Sequence, residues 1–146
     1  MTVSSRAGRR AGFTLIEVLL VLVILVILGS LAVTAYGPMR KKAQIDAAKA
    51  AISMFDTPLE AYHLHMDAYP TSQQGLTALR DAPADAAGSN WSGPYVKSEI
   101  PLDPWRQTYR YESPGRHNPD SYDLWSAGPD GVDGTADDIG NWASEQ

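Results

Sequence analysis

The chain has no cysteine, which excludes a disulfide framework and a thiolate-held metal. Lysine and arginine are absent after Arg116, where seven acids follow. Phosphate binding needs clustered cations, so a nucleic-acid partner is not expected. There is no nucleophile–histidine motif, phosphate-cradling glycine loop, zinc-ligand spacing or internal repeat, so no enzymatic role is expected. With 146 residues and 15.8 kDa, one small domain plus one apolar segment is the natural division. An exported domain this small, without disulfides, calls for another staple such as a metal ion.

What the chain does have is a long apolar run, Phe13 to Tyr36, uncharged from Val18 to Met39. About 20 such residues in a helix rise roughly 30 Å, the thickness of a bilayer's hydrocarbon core. Glu17 stands just inside it. An ionisable group at the centre of a membrane segment costs about 2.5–3.5 kcal/mol or more, less near the ends, and asks for a partner. Cleavage between Gly12 and Phe13 would supply one. The new ammonium would lie four residues before Glu17 and could meet it in the same helix or a neighbouring one. A secretory signal has a shorter apolar region with its cleavage site after it, whereas here Gly12 comes first. Arg9-Arg10 suggests a twin-arginine signal, against which Glu17 argues. A plain uncleaved anchor leaves both Gly12 and Glu17 unexplained.

Charge is distributed unevenly. Arg6, Arg9 and Arg10 precede the run, and Arg40, Lys41 and Lys42 follow it. Losing residues 1–12 takes the side-chain charge from −5 to −8. The competing basic groups favour a cytoplasmic N-terminus only weakly, with the rest of the chain outside the inner membrane.

From Arg40 the helix is expected to continue to about Asp67. Ile45, Ala48, Ile52, Phe55, Leu59, Tyr62 and Met66 recur at spacings of three and four, the apolar face of an amphipathic helix. That face serves either contacts between subunits or the domain's own core, and the core is expected to take most of it. A break is expected near Thr57-Pro58. His63 and His65, two apart, point to different faces and make a poor metal pair. They are expected to be solvated. Ser72 to Arg80 reads as a short helix after Tyr69-Pro70, and Ala82 to Gly93 as a loop. Thr108 to Tyr111 and Tyr122 to Ser126 read as an antiparallel pair of strands. Trp105, Tyr109, Tyr111, Tyr122 and Trp125 are expected to pack between sheet and helix rather than to form a ligand platform.

Near the end, Asp130, Asp133, Asp137 and Asp138 fall within nine residues, interleaved with glycines. Such carboxylates repel one another unless solvated or neutralised. Ca²⁺ takes roughly 6–8 oxygens and suits carboxylates mixed with backbone carbonyls better than Mg²⁺ does. EF-hand spacing is absent. On spacing alone a solvated acidic turn and a calcium loop both stand.

Gly12-Phe13-Thr14-Leu15-Ile16-Glu17, after a basic leader and before an apolar helix, resembles the class III signal of type IV pilins and pseudopilins. Tyr69-Pro70-Thr71, Gln74-Gly75-Leu76, Asp103-Pro104-Trp105, Tyr122-Asp123-Leu124-Trp125-Ser126, Gly128-Pro129-Asp130-Gly131 and Asp137-Asp138-Ile139-Gly140-Asn141-Trp142 resemble the major pseudopilins of type II secretion. The resemblance implies a cleaved leader over 1–12, a transmembrane and assembly helix over 13–36, and a periplasmic domain over 37–146. It implies an α+β pilin-like fold, in which a long N-terminal helix packs on a small antiparallel sheet beside a calcium-binding loop. A peptidase that also methylates would cut after Gly12 and modify Phe13, and Glu17 would neutralise the N-terminus of an adjacent subunit. Calcium would be held by the side chains of Asp130, Asp137 and Asp138 and the carbonyls of Ala127 and Val132, with Asp133 nearby. The implied partners are further copies of this chain in a helical fibre, minor pseudopilins, the inner-membrane secretion platform and lipid before assembly. Family members often carry a proline where Thr34 stands; here Pro38 comes four residues later, which leaves the position of any kink open. A surface pilin would share the leader and Glu17, but the missing cysteines and the acidic loop weigh against it. A membrane-anchored calcium-binding or hydrolytic domain would explain the acids but not Gly12 or Glu17.

Overall fold

Thr14 starts the first helix. Its carbonyl accepts from the N–H groups of Glu17 (3.1 Å) and Val18 (3.3 Å), and its hydroxyl oxygen faces Glu17 N at 3.3 Å. Thr-x-x-Glu is the sequence of a capping box, and the threonine half of it is formed. In this computed structural model the described residues are 12–84 and 90–142, with the side chains of 31–35 outside the description. The helices are α1, Leu15–Met54, and α2, Asp56–Met66. A 3₁₀ turn follows at Gly75–Leu79. The strands are β1, Arg110–Glu112, β2, Asp123–Ser126, and β3, Ile139–Gly140. The chain divides into two compact units, Met1–Arg40 and Lys41–Gln146.

In the first unit the described apolar side chains of α1 lie on every side of the helix and none of them is buried, from 46 % exposed at Ile24 to 85 % at Leu15. A helix apolar all round is one that belongs in a membrane or among other helices. Among the described residues no helix is long and apolar enough to cross a membrane. The unbroken run of described side chains in this helix stops at Ser30 and resumes at Tyr36, and is shorter than the ~20 residues a bilayer needs. The leader expected over 1–12 lies, but for Gly12, outside the described residues.

The second unit is built on the expected stripe. Ala48, Ile52, Phe55, Leu59 and Tyr62 are buried, with Ile45 and Met66 partly so. The break falls at Phe55, between Met54 and Asp56. Pro58 explains it: a helical proline removes the hydrogen bond to the carbonyl four residues back, here Met54, and its ring crowds that group. Inside the first turn of α2 the missing N–H costs nothing. Asp67, in the left-handed region at φ 56°, closes α2.

The sheet has the order β1-β2-β3 and is antiparallel throughout. Arg110 pairs with Trp125, Tyr111 with Leu124 and Glu112 with Asp123, while Trp125 and Ser126 pair with Gly140 and Ile139. Leu124 and Ile139 meet the helix stripe in one core with Leu76, Leu79, Tyr109 and Tyr122. The Phe55 and Tyr109 rings meet edge to face at 5.9 Å. Trp105, Tyr109, Tyr111 and Tyr122 serve the core, as expected, whereas Trp125 does not and instead meets Trp142 and Asp133. The strand expected over 108–111 is shifted and shorter, and the short helix is a 3₁₀ turn. His63 and His65 are less free than expected. His63 is half-buried and stacks on Tyr69 at 4.4 Å, and His65 Nδ1 meets Ser92 Oγ at 2.6 Å and Tyr95 Oη at 3.0 Å.

Candidate functional sites

Two regions carry the expected site residues. In the first, Gly12 and the 83 % exposed Phe13 precede the capped end of α1, and Glu17 follows on its exposed first turn. An added Cβ at Gly12 would meet nothing within 4 Å.

The second region is the loop from Ala127 to Asp138, suspended between β2 and β3. Its two ends touch at Gly128, where φ is +65° and an added Cβ would lie 2.4 Å from the carbonyl oxygen of Asp137 and 3.1 Å from Asp137 Oδ2. Only glycine permits that approach without movement. Within the loop, Asp130 Oδ1 accepts from Val132 N at 2.9 Å and Asp138 Oδ2 from Gly134 N at 2.7 Å. The Thr135 hydroxyl meets Asp137 Oδ1 at 2.6 Å and the Val132 carbonyl at 3.2 Å. The Asp137 carboxyl is held below the usual carboxylate range, chiefly by Thr135, with its own N–H and the N–H and carboxyl of Asp130 adding to the effect against some desolvation.

The Thr135 hydroxyl thus ties Asp137 to the turn that Asp130 caps at Val132. Asp138 sits beside them with Oδ1 buried and unpartnered. Asp133 turns to the sheet, where its Oδ1 accepts from Arg110 Nε and Trp125 Nε1, each at 3.2 Å. Ala127 is buried and Val132 is 55 % exposed. Among the described residues no group of three acidic or histidine side chains is placed to hold a metal ion. The donor set is nonetheless all oxygen, and a buried carboxylate oxygen without a hydrogen bond is costly unless a cation or water meets it. Both facts fit a hard divalent cation.

Behind the loop, Asp123 is 2 % exposed. It accepts from His117 N (2.8 Å), His117 Nδ1 (3.0 Å), Asn118 N (3.1 Å) and Asn118 Nδ2 (2.9 Å). Trp142 stacks on His117 with ring centres 4.0 Å apart. Sequence reasoning missed this buried acid; the run His117-Asn118 six and five residues ahead of it was the available signal.

A helix stripe on a small antiparallel sheet, with an oxygen-rich loop hung between the last two strands, is the arrangement of a pseudopilin domain. The crystal structure of the major pseudopilin from the type 2 secretion system of enterohaemorrhagic Escherichia coli matches with a TM-score of 0.62 at 33 % identity, over 73 % of this chain and 93 % of that one. The chain belongs to the family described as type II secretion system (T2SS), protein G, whose model matches residues 36–142, and the prokaryotic N-terminal methylation motif matches residues 8–33. Its relatives include proteins named type II secretion system core protein G. That of Pseudomonas aeruginosa is 40 % identical, over 92 % of this chain and 96 % of the relative. That of Aeromonas hydrophila is 43 % identical, over 92 % and 93 %.

Proposed function

We infer that this chain is the major subunit of a periplasmic pseudopilus that helps a type II secretion system export folded proteins. The observation that carries the reading is the first unit. Over residues 15–30 an apolar helix with every described side chain uncovered bears one charged group, Glu17, one turn from the Gly12–Phe13 bond. Family membership is in keeping with it. On this reading a prepilin peptidase cuts after Gly12 and methylates Phe13. Residues 13–36 hold the subunit in the inner membrane with 37–146 in the periplasm, until the helix leaves lipid for neighbouring helices. Glu17 then pairs with the cationic N-terminus of the next subunit, which sets its axial position. The chain acts by assembly with its own copies, the minor pseudopilins and the membrane platform, rather than by chemistry.

Asp130, Asp137 and Asp138, with the carbonyls of Ala127 and Val132, would hold one calcium ion in the C-terminal loop. The ion would supply fixed positive charge that draws the loop's oxygens together. Gly128 lets the loop's ends meet, Thr135 orients Asp137, and the buried Asp138 Oδ1 is the oxygen with most to gain.

Mass spectrometry of the chain recovered from secreting cells tests the reading. The mature mass should begin at N-methylated Phe13, and Glu17→Ala should be processed equally yet form few fibres. A recovered chain that retains residues 1–12, or normal fibres from Glu17→Ala, would overturn the corresponding step.

A further inference from the structure

Arg110 and Trp125 are cross-strand partners on β1 and β2. Side chains at paired positions share one face of a sheet. Here both reach the same atom, Asp133 Oδ1, which stops the guanidinium and the indole N–H together. The loop's acids also open onto different spaces. Asp133 lines a cavity of about 260 Å³ with His117, Trp125 and Trp142. Asp137 lines another of about 270 Å³ with Lys49 and Pro129, and Asp138 borders both. Asp133 and Asp137 thus line different cavities, and the charge of Asp133 is matched by Arg110.

We propose that Asp133 is a positioning residue for the calcium loop and not a ligand. It straps the loop to β1 and β2, and so limits how far Asp130, Asp137 and Asp138 must move to converge on a hard cation. This rests on the calcium reading of the loop given above. The Arg110 and Asp133 side chains are 39 % and 48 % exposed, so the pair adds little to global stability. Its effect is on the freedom of the loop, and a loop ordered beforehand loses less entropy on binding.

Calcium titration calorimetry on the full mature chain in detergent micelles tests this, together with hydrogen exchange at the Trp125 indole in the chelated protein. Asp133→Asn keeps an oxygen for the indole and should bind calcium within about tenfold of wild type. Asp133→Ala should lose roughly ten- to hundredfold, as removal of groups that orient ligands does, and its Trp125 indole proton should exchange faster. Arg110→Gln should weaken binding or leave it unchanged. If Asp133 were a ligand, Arg110→Gln would tighten binding by removing a competing cation, and Asp133→Asn would lose as much as Asp133→Ala; either result overturns the proposal. Wild-type affinity and indole exchange in Asp133→Ala would also overturn it. A wild type that binds no calcium defeats the reading of the loop and the positioning role with it. That failure is distinguishable, because indole exchange in the chelated chain still reads whether the strap to the sheet exists.

Discussion

The Asp123 carboxylate is held by both the main chain and the ring of His117, at 2.8 and 3.0 Å, although Asp123 lies at the start of β2 and His117 in the turn before it. Burial alone would raise the carboxyl's pKa. The hydrogen bonds from His117 and then Asn118 outweigh it, and the net shift is downward. A carboxyl whose pKa is depressed by folding contributes stability above its unfolded value of about 3.9, and loses it as pH falls through the folded value. Thermal unfolding of the full chain should therefore weaken below about pH 4. Asp123→Asn should cost roughly 1.5–3 kcal/mol at pH 7, the range for hydrogen bonds to a charged group, and should flatten that acid limb. An unchanged acid limb in Asp123→Asn would assign it to other groups.

Gly128 and Gly134 both have positive φ, +65° and +86°, but only the first is crowded. An added Cβ at Gly134 meets nothing within 4 Å, while at Gly128 it runs into the backbone of Asp137. Gly134→Ala should cost about 1–2 kcal/mol, the strain of a left-handed alanine. Gly128→Ala adds a displaced backbone, costing a further ~1–3 kcal/mol. Denaturant unfolding of the two variants checks the order; equal losses would mean that the loop's ends do not meet as described.

Leu59 is fully buried and Leu64, on the same helix, is 76 % exposed. Leu59→Ala should lose about 2–5 kcal/mol through lost burial and the cavity left behind. Leu64→Ala should stay within about 0.5 kcal/mol. A comparable loss at Leu64 would show that α2 presents the other face to the sheet.

Calcium, if bound only by the folded chain, raises its stability by about 2.7 kcal/mol at a free concentration one hundred times the dissociation constant. The chain should therefore melt earlier in chelator than in excess Ca²⁺, and Asp138→Asn should remove the difference. Mg²⁺, which keeps its waters, should restore little of it. Identical melting with and without Ca²⁺ would remove the metal from this loop.

Much of the second unit was legible because one face of a helix has a period that survives tertiary context. The residues spaced from Ile45 to Met66 line the core, and Pro58 marks the break at Phe55. The strands were less legible. Asp103 accepts from the N–H groups of Trp105 and Gln107, at 3.0 and 2.7 Å, and this turn delays β1 past Thr108 and Tyr109 to Arg110. β3 is two residues long, too short for an alternation, and it directly follows acids that read as loop. Asp103 and Asp123 are 4 % and 2 % exposed, a placement that composition disfavours and that their hydrogen bonds alone permit. At the candidate metal loop the acids stood out by number. What spacing left open was that Asp133 faces the sheet, because a side chain's direction within a glycine-rich loop has no period to follow.

The hydrogen bond from Tyr122 Oη to Asp56 Oδ1, 2.9 Å long, joins residues 66 positions apart. Leu59 and Tyr62 share one core with Leu124 and Ile139, from near the end of the chain. A polypeptide emerging N-terminus first thus carries a greasy, incompletely shielded ridge until its final few dozen residues arrive. Premature stops ahead of Ile139 should give sticky, protease-sensitive fragments instead of smaller working subunits, so the domain matures all at once or not at all.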